Sequence, residues 1–284
     1  MNQNLPKGKV ILAGAGPGDP DLISVKAANY LQQADVVLTD RLVSKEIIAR
    51  YVKPSALVIE VGKQCRRGVS TPQLTINELL VHYAMQGKFV VRLKGGDVSF
   101  YSNVLDELEI LAANQIPYEI VPGITAASGA SAYAGMPLTA RDHATAVRFL
   151  TYYTSTVVKE GYWKELAKTE DTLVFYMSSE TLDELVNKLI ENGIAADTTL
   201  AVIEQATTPY QQVYVSGIYD FEKKLKGQTF LSPSLVIIGK VVRLHESFGW
   251  FTGSDAKDYY FQPLTAQVET MVKNDTNKRY VSRA

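Results

Sequence analysis

GKVILAGAGPGDPDLISVKAANYLQQADVVLTD, residues 8–40, decides the fold. The apolar run Val10 to Ala13 breaks into GAGPGDP. An apolar periodicity at Leu22, Val25, Ala28 and Leu31 follows, and a second run, Val36 to Leu38, ends in Thr39 and Asp40. This pattern predicts strand, glycine loop, helix and strand. Gly14, Gly16 and Gly18 let the backbone turn tightly or approach a ligand, while Pro17 stiffens the loop and removes one N–H donor. A dinucleotide fingerprint aligned on Gly14 and Gly16 needs glycine at position 19, where the chain has Asp19. An aspartate there repels a pyrophosphate and suits a helix cap. Asp40 falls just beyond the carboxyl end of a strand, where open α/β proteins keep their chemistry.

The remaining composition narrows the function classes. With 284 residues, 46% of them apolar, the chain fits one large or two moderate α/β domains. A net charge of −1 does not favour nucleic acid or an acidic membrane surface as partner. The single cysteine, Cys65, excludes an internal disulfide and a cysteine-held metal, and the histidines at 82, 143 and 245 are scattered. No apolar leader or membrane-length segment is present, so a cytoplasmic protein without a metal is expected. There is no GxSxG, P-loop or HExxH.

Further strands are expected at Leu57 to Val61, Phe89 to Leu93 and Tyr118 to Val121, each followed by a loop and a helix. This alternation predicts a mainly parallel sheet. The loop after the third strand carries Lys63, Arg66 and Arg67, which form either a solvated charged loop or an anion site. Thr71 and Pro72 read as a helix start. The strand ending at Leu93 delivers a second glycine loop, Lys94-Gly95-Gly96-Asp97. Small residues from Ala126 to Ala134 predict a helix that packs closely or leaves room for a ligand. GMPLTARD, residues 135–142, reads as a linker, giving a first domain over 1–138 and a second over 139–248. In the second, strands are expected near 146–151, 172–176, 200–203 and 234–238, with 211–216 as an antiparallel partner. Residues 249–284 read as a C-terminal extension, partly disordered, although its aromatics argue against complete disorder.

Together GAGPGDPDLISVKA, DRLVS from Asp40, VGK ending at Lys63, RLKGGD from Arg92 and VPGITAASGASAYAGMPLT from Val121 resemble the tetrapyrrole methyltransferases. Within that family they are most similar to the uroporphyrinogen-III C-methyltransferases. LVFYM ending at Met177 and IIGKVVRL ending at Leu244 extend the likeness. The resemblance implies a two-domain α/β fold of the class III S-adenosylmethionine methyltransferase type, not a Rossmann fold, with the methyl donor in a cleft. It implies donor contacts at Pro17, Gly95, Gly96, Asp97, Phe100, Thr125, Ala126, Met177 and Ala206. It assigns acid–base roles to Asp40 and Lys63. The implied reaction is methylation of uroporphyrinogen III at C2 and C7 to precorrin-2, for sirohaem or cobalamin, by a homodimer. The chain's length predicts a single-function protein.

An octacarboxylate of this kind needs a basic cleft, for which Arg41, Lys63, Arg66, Arg67, Arg92 and Arg141 are the candidates. The family continues RLKGGD with PFIFGRGGEE, whereas this chain has VSFYSNVLDE, placing Asn103 where arginine is usual and Val104-Leu105 for Gly-Gly. Asn103 can hydrogen-bond a carboxylate but carries no charge. A methyltransferase acting on a later precorrin, and a non-catalytic binder of tetrapyrrole or donor, are the alternatives.

Overall fold

The computed structural model describes residues 7–61, 72–152, 160–254, 256 and 258–261. The described chain divides into two compact units, one running through Thr125 and including Phe261, the other Ala126–Tyr260.

The first unit is built on a five-stranded parallel sheet. Its strands are β1 (Val10–Gly14), β2 (Val36–Thr39), β3 (Leu57–Glu60), β4 (Val90–Lys94) and β5 (Tyr118–Val121), in the order β3-β2-β4-β1-β5. The three central strands are buried on both faces, as a parallel sheet under helices requires. Helices α1 (Val25–Gln33), α2 (Lys45–Tyr51), α3 (Gln73–Met85) and α4 (Val104–Ala113) connect them. Alternation along the strands sorts the core into two layers. Ile11, Ala13, Val37, Val91 and Leu93 cluster with Ala27, Leu31 and Ile47 of α1 and α2. Leu12, Val36, Leu38 and Val90 cluster with Ile76 and Leu80 of α3 and Leu111 of α4.

Two local expectations shift. Leu22 sits in a 3-10 turn, Pro20–Leu22, and Asp19 caps that turn by accepting from the Asp21 N–H at 2.8 Å. The main helix starts one turn later behind Ser24, so Val25 faces outward instead of joining the core.

In the second unit the parallel expectation fails at the strand over 234–238, whereas the strand over 212–217 has the antiparallel setting that the sequence reading gave it. Its strands are β6 (Val147–Thr151), β7 (Thr172–Tyr176), β8 (Thr199–Glu204), β9 (Gln212–Gly217) and β10 (Ser234–Ile238), in the order β6-β7-β10-β8-β9. Only β6 and β7 run parallel; β10 lies antiparallel to both neighbours, and β9 is antiparallel to β8. For β8 and β9 the reason is their link, too short to hold the crossover helix that a parallel pair needs. Helices α5 (Ala126–Tyr133), α6 (Glu160–Lys168), α7 (Leu182–Glu191), α8 (Phe221–Lys224) and α9 (Leu244–Phe248) accompany this sheet.

The division falls at Thr125, ahead of the linker expected at 135–142. Ala127, Ala130 and Ala134 of α5 are buried with Val174, Ala201 and Ile237 of the second sheet. Small side chains let the helix lie close to those strands, so the run of small residues belongs to this core. The start of the expected extension is built into the same unit. Trp250 Nε1 donates to the Ala132 carbonyl at 2.8 Å, and its ring packs with Tyr133 and Phe251. The Gln205 amide, buried at the end of β8, donates to the Asp258 carbonyl and accepts from the Tyr260 N–H, both at 2.8 Å.

Candidate functional site

The carboxyl ends of β1, β2, β4 and β5 carry the residues singled out in the first unit. Three glycines at these ends interlock. A Cβ on Gly14 would stand 2.6 Å from the Gly96 carbonyl oxygen, and one on Gly123 only 2.3 Å from that same oxygen. Gly16 and Gly96 exchange backbone hydrogen bonds of 3.1 and 2.7 Å. Glycine is thus required here because three loops touch backbone to backbone. Asp97 completes the tie. It is buried, Oδ2 accepts from the Gly123 N–H at 2.8 Å, and Oδ1 accepts from the Ser99 N–H at 2.7 Å. Pro17 is buried in the loop beside Gly16.

Beneath this knot lies a buried ionic cluster. Val90, Arg92 and Lys94 alternate onto the face of β4 that α4 covers. Arg92 and Lys94 are each only 2% exposed. Glu107, on α4, is fully buried, and its Oε1 accepts from Arg92 Nε at 3.0 Å and from Lys94 Nζ at 2.9 Å. Arg92 Nη1 donates to the Leu38 and Leu93 carbonyls at 3.3 Å, and Nη2 forms an ion pair with Oδ1 of Asp40. Burial works against the charge on Arg92, but Asp40 and Glu107 outweigh it and leave the guanidinium above its ordinary range. Lys94 goes the other way, lowered by burial and by the Arg92 charge. Two cations and two carboxylates balance, which is what makes such burial tolerable.

This cluster corrects one expectation. Arg92 faces inward and serves Asp40, Glu107 and two backbone carbonyls, so it is not a surface group for ligand carboxylates. Asp40 itself is partly exposed, and its N–H donates to the Leu93 carbonyl at 3.0 Å. Arg41 beside it is partly buried and reaches the Phe261 carbonyl at 3.5 Å. Lys63, Arg66, Arg67, Cys65 and Thr71 lie outside the described residues.

After Asp97 the chain is exposed at Phe100 and takes positive φ at Tyr101 and Asn103. Asn103 precedes α4 in the left-handed region, which asparagine tolerates, and its amide donates to Asp106 Oδ2 at 2.7 Å. Thr125 closes the first unit and Ala126 opens α5. In the second unit Met177 follows β7, exposed and at φ 54°. Ala206 is buried after β8 between Gln205 at φ 45° and Thr207 at φ 67°. Arg141 is exposed in the loop before β6. Of the seven positive-φ non-glycine residues among those described, five lie in the loops after β4, β7 and β8. Strain of this kind concentrates where a backbone is held for a ligand.

Glu107 and Lys94 are the residues that sequence reasoning passed over. Their signal was present. Glu107 falls on the same helical face as Val104, Leu108 and Leu111, where a lone carboxylate needs a partner. Arg92 and Lys94 interrupt an otherwise apolar central strand on one face.

The geometry also bears on what the loops can hold. The cations at the end of β4 are neutralised internally, and the knot above them presents peptide groups and small residues. That suits a cationic sulfonium ligand better than a pyrophosphate, which calls for uncompensated positive charge.

Comparison with known proteins agrees with this architecture. Residues 9–222 match the family model of the Tetrapyrrole (Corrin/Porphyrin) Methylases. A siroheme synthase of Azotobacter vinelandii is 46% identical over 88% of this chain and 54% of its own length. The chain thus spans about half of that relative. The solved cobalt precorrin-4 methyltransferase is 30% identical, with a TM-score of 0.71, over 82% of this chain and 95% of its own. The uroporphyrin-III C-methyltransferase of Thermus thermophilus, solved with S-adenyl homocysteine, is 30% identical with a TM-score of 0.70, covering 84% of this chain and 94% of its own. With the parallel sheet, its glycine knot and the mixed second sheet accounted for, the chain belongs to the tetrapyrrole methylase family.

Proposed function

We propose that this chain transfers methyl groups from S-adenosylmethionine to uroporphyrinogen III, at C2 and C7, giving precorrin-2. The observation that carries the reading is Asp40, held by the buried Arg92 guanidinium beside the glycine knot. When bound, S-adenosylmethionine supplies an electrophilic methyl on sulfur. The tetrapyrrole is the nucleophile: a pyrrole carbon would form the new C–C bond as the methyl–sulfur bond breaks, S-adenosylhomocysteine would leave with that electron pair, the ring would take up the positive charge, and one proton would then leave it. Asp40 steadies that charge and accepts the proton. A paired carboxylate is a weak base, but a cationic ring is a strong acid, so the transfer runs downhill. The glycine knot and Asp97 hold the donor-facing loops of the first unit in register. Pro17, Gly95, Gly96, Asp97, Phe100 and Thr125 are the donor contacts there; Ala126, Met177 and Ala206 are those of the second unit. Arg41, Arg66, Arg67, Arg141 and Asn103 are the contacts for substrate carboxylates, and Lys63 partners Asp40. The working form is a homodimer.

The likeness to a cobalt precorrin-4 methyltransferase supports a second reading, methylation of a later precorrin. The apolar Val104-Leu105 and the uncharged Asn103 favour it too, since they remove one cation from the region. Mass spectrometry of anaerobic reactions separates the two. A gain of two methyl groups on uroporphyrinogen III is the expected outcome. Turnover only of an already methylated precorrin establishes the second reading, and donor binding without turnover of either establishes a binder.

Among the described residues no helix is long and apolar enough to cross a membrane.

A further inference from the structure

Asp40 reaches the surface, but the groups that fix its direction are behind it. The Arg92 guanidinium is planar, and its donors leave it in set directions. On the buried side, Nη1 is held by the Leu38 and Leu93 carbonyls and Nε by Glu107 Oε1. The remaining nitrogen points at Asp40. Glu107 is therefore the charged anchor that sets the plane, and it is tied in turn by Lys94.

Stability alone does not explain this arrangement. Apolar side chains of similar volume often fold at least as well as a buried ion cluster. Glu107 Oε2 is also buried and has no hydrogen-bond partner among the described residues, an added cost. What the cluster does supply is a direction for a single exposed carboxylate.

We propose that Glu107 is a positioning residue for methyl transfer, acting through Arg92 to aim the Asp40 carboxylate. The proposal rests on the methyl-transfer reading above. Glu107→Gln keeps the shape and one acceptor oxygen but removes the charge, leaving the partly exposed Asp40 as the counter-charge of Arg92 and Lys94 among the described residues. The guanidinium then relaxes away from its set plane and Asp40 loses its aim.

The test compares the wild-type chain, Glu107→Gln, Asp40→Asn and the double variant. Rate constants for methylation of uroporphyrinogen III are taken at saturating substrates, and calorimetry follows S-adenosylhomocysteine binding. Glu107→Gln should lower kcat on the order of 10- to 100-fold, as for misplacement of a reacting group, with S-adenosylhomocysteine affinity within about twofold. The double variant should be no slower than Asp40→Asn, because one residue acts through the other. Effects that multiply, or a Glu107→Gln variant with full kcat, overturn the proposal. A crystal structure of Glu107→Gln gives a second readout: the Arg92 guanidinium should turn out of its wild-type plane and carry the Asp40 carboxylate with it, and an unmoved pair overturns the proposal. If the wild-type chain shows no methylation, the functional reading fails, and the crystal structure still decides the positioning. Should Glu107→Gln not fold, Lys94→Met/Glu107→Gln restores the charge balance and is read in the same way.

Discussion

At the scale of the residue, the glycine knot makes the sharpest contrast in the molecule. Gly123 has no room for a side chain, because the atoms that a Cβ would meet belong to the backbone of Gly96 and Gly14 and cannot rotate away. Gly123→Ala should destabilise the chain by about 3 kcal/mol, the upper end of ordinary overpacking, in urea unfolding. Gly161, in the first turn of α6, has nothing among the described residues within 4 Å of its added Cβ. Gly161→Ala should be neutral or stabilising by up to about 1 kcal/mol, since alanine narrows the unfolded ensemble and favours the helix. Equal effects from the two substitutions would contradict the interlocked loops. Sequence reading took the glycines at 14 and 96 as room for a ligand. The contacts among Gly14, Gly96 and Gly123 come from the ends of three separate strands, and such long-range proximity leaves no mark in local spacing.

At the scale of the element, edge strand β5 is fastened to α1 and to the chain before β1 by one carboxylate. Glu119 pairs with Lys26 at 2.5 Å and Lys9 at 2.7 Å and accepts from the Tyr30 hydroxyl at 2.9 Å. Hydrogen bonds from Lys26, then Lys9 and Tyr30, lower its pKa from 4.5 to about 2. A carboxyl depressed in the folded state contributes stability above its unfolded pKa and loses it as pH falls toward the folded one. The stability gap between wild type and Glu119→Gln should therefore be full above about pH 5 and narrow steadily as pH falls from 4.5 toward 2. A gap that ignores pH would remove the fastening role. Most elements were legible, because their signals are local. β5, β7 and β10 run as the apolar stretches predict. Pairing was less legible. Strand β10 is read readily from SLVII, yet nothing in those five residues says that it inserts between β7 and β8. The candidate site divides in the same way. Asp40 and the glycine loops follow from strand ends, whereas the partnership of Arg92 with Glu107 needed a helix packed on a strand.

At the scale of the whole molecule, each unit has its own core, and the two are wound differently. The first closes its parallel sheet with β5, well inside the stretch that the family model matches. The second completes its sheet late, with a strand at 234–238 that comes after the matched stretch ends at 222. A fragment excised at the family limits would therefore lack the central stave of its second sheet. The pair β6-β7 and the pair β8-β9 would be left facing a gap, each with an unpaired apolar edge. Residues 9–222 made alone should collect in the insoluble fraction, while residues 7–261 should stay in solution; a soluble, cooperatively folding 9–222 would refute the strand order. The family match and mechanical integrity thus end at different places along this chain, and anyone trimming it for crystals or fusion has to cut by the second.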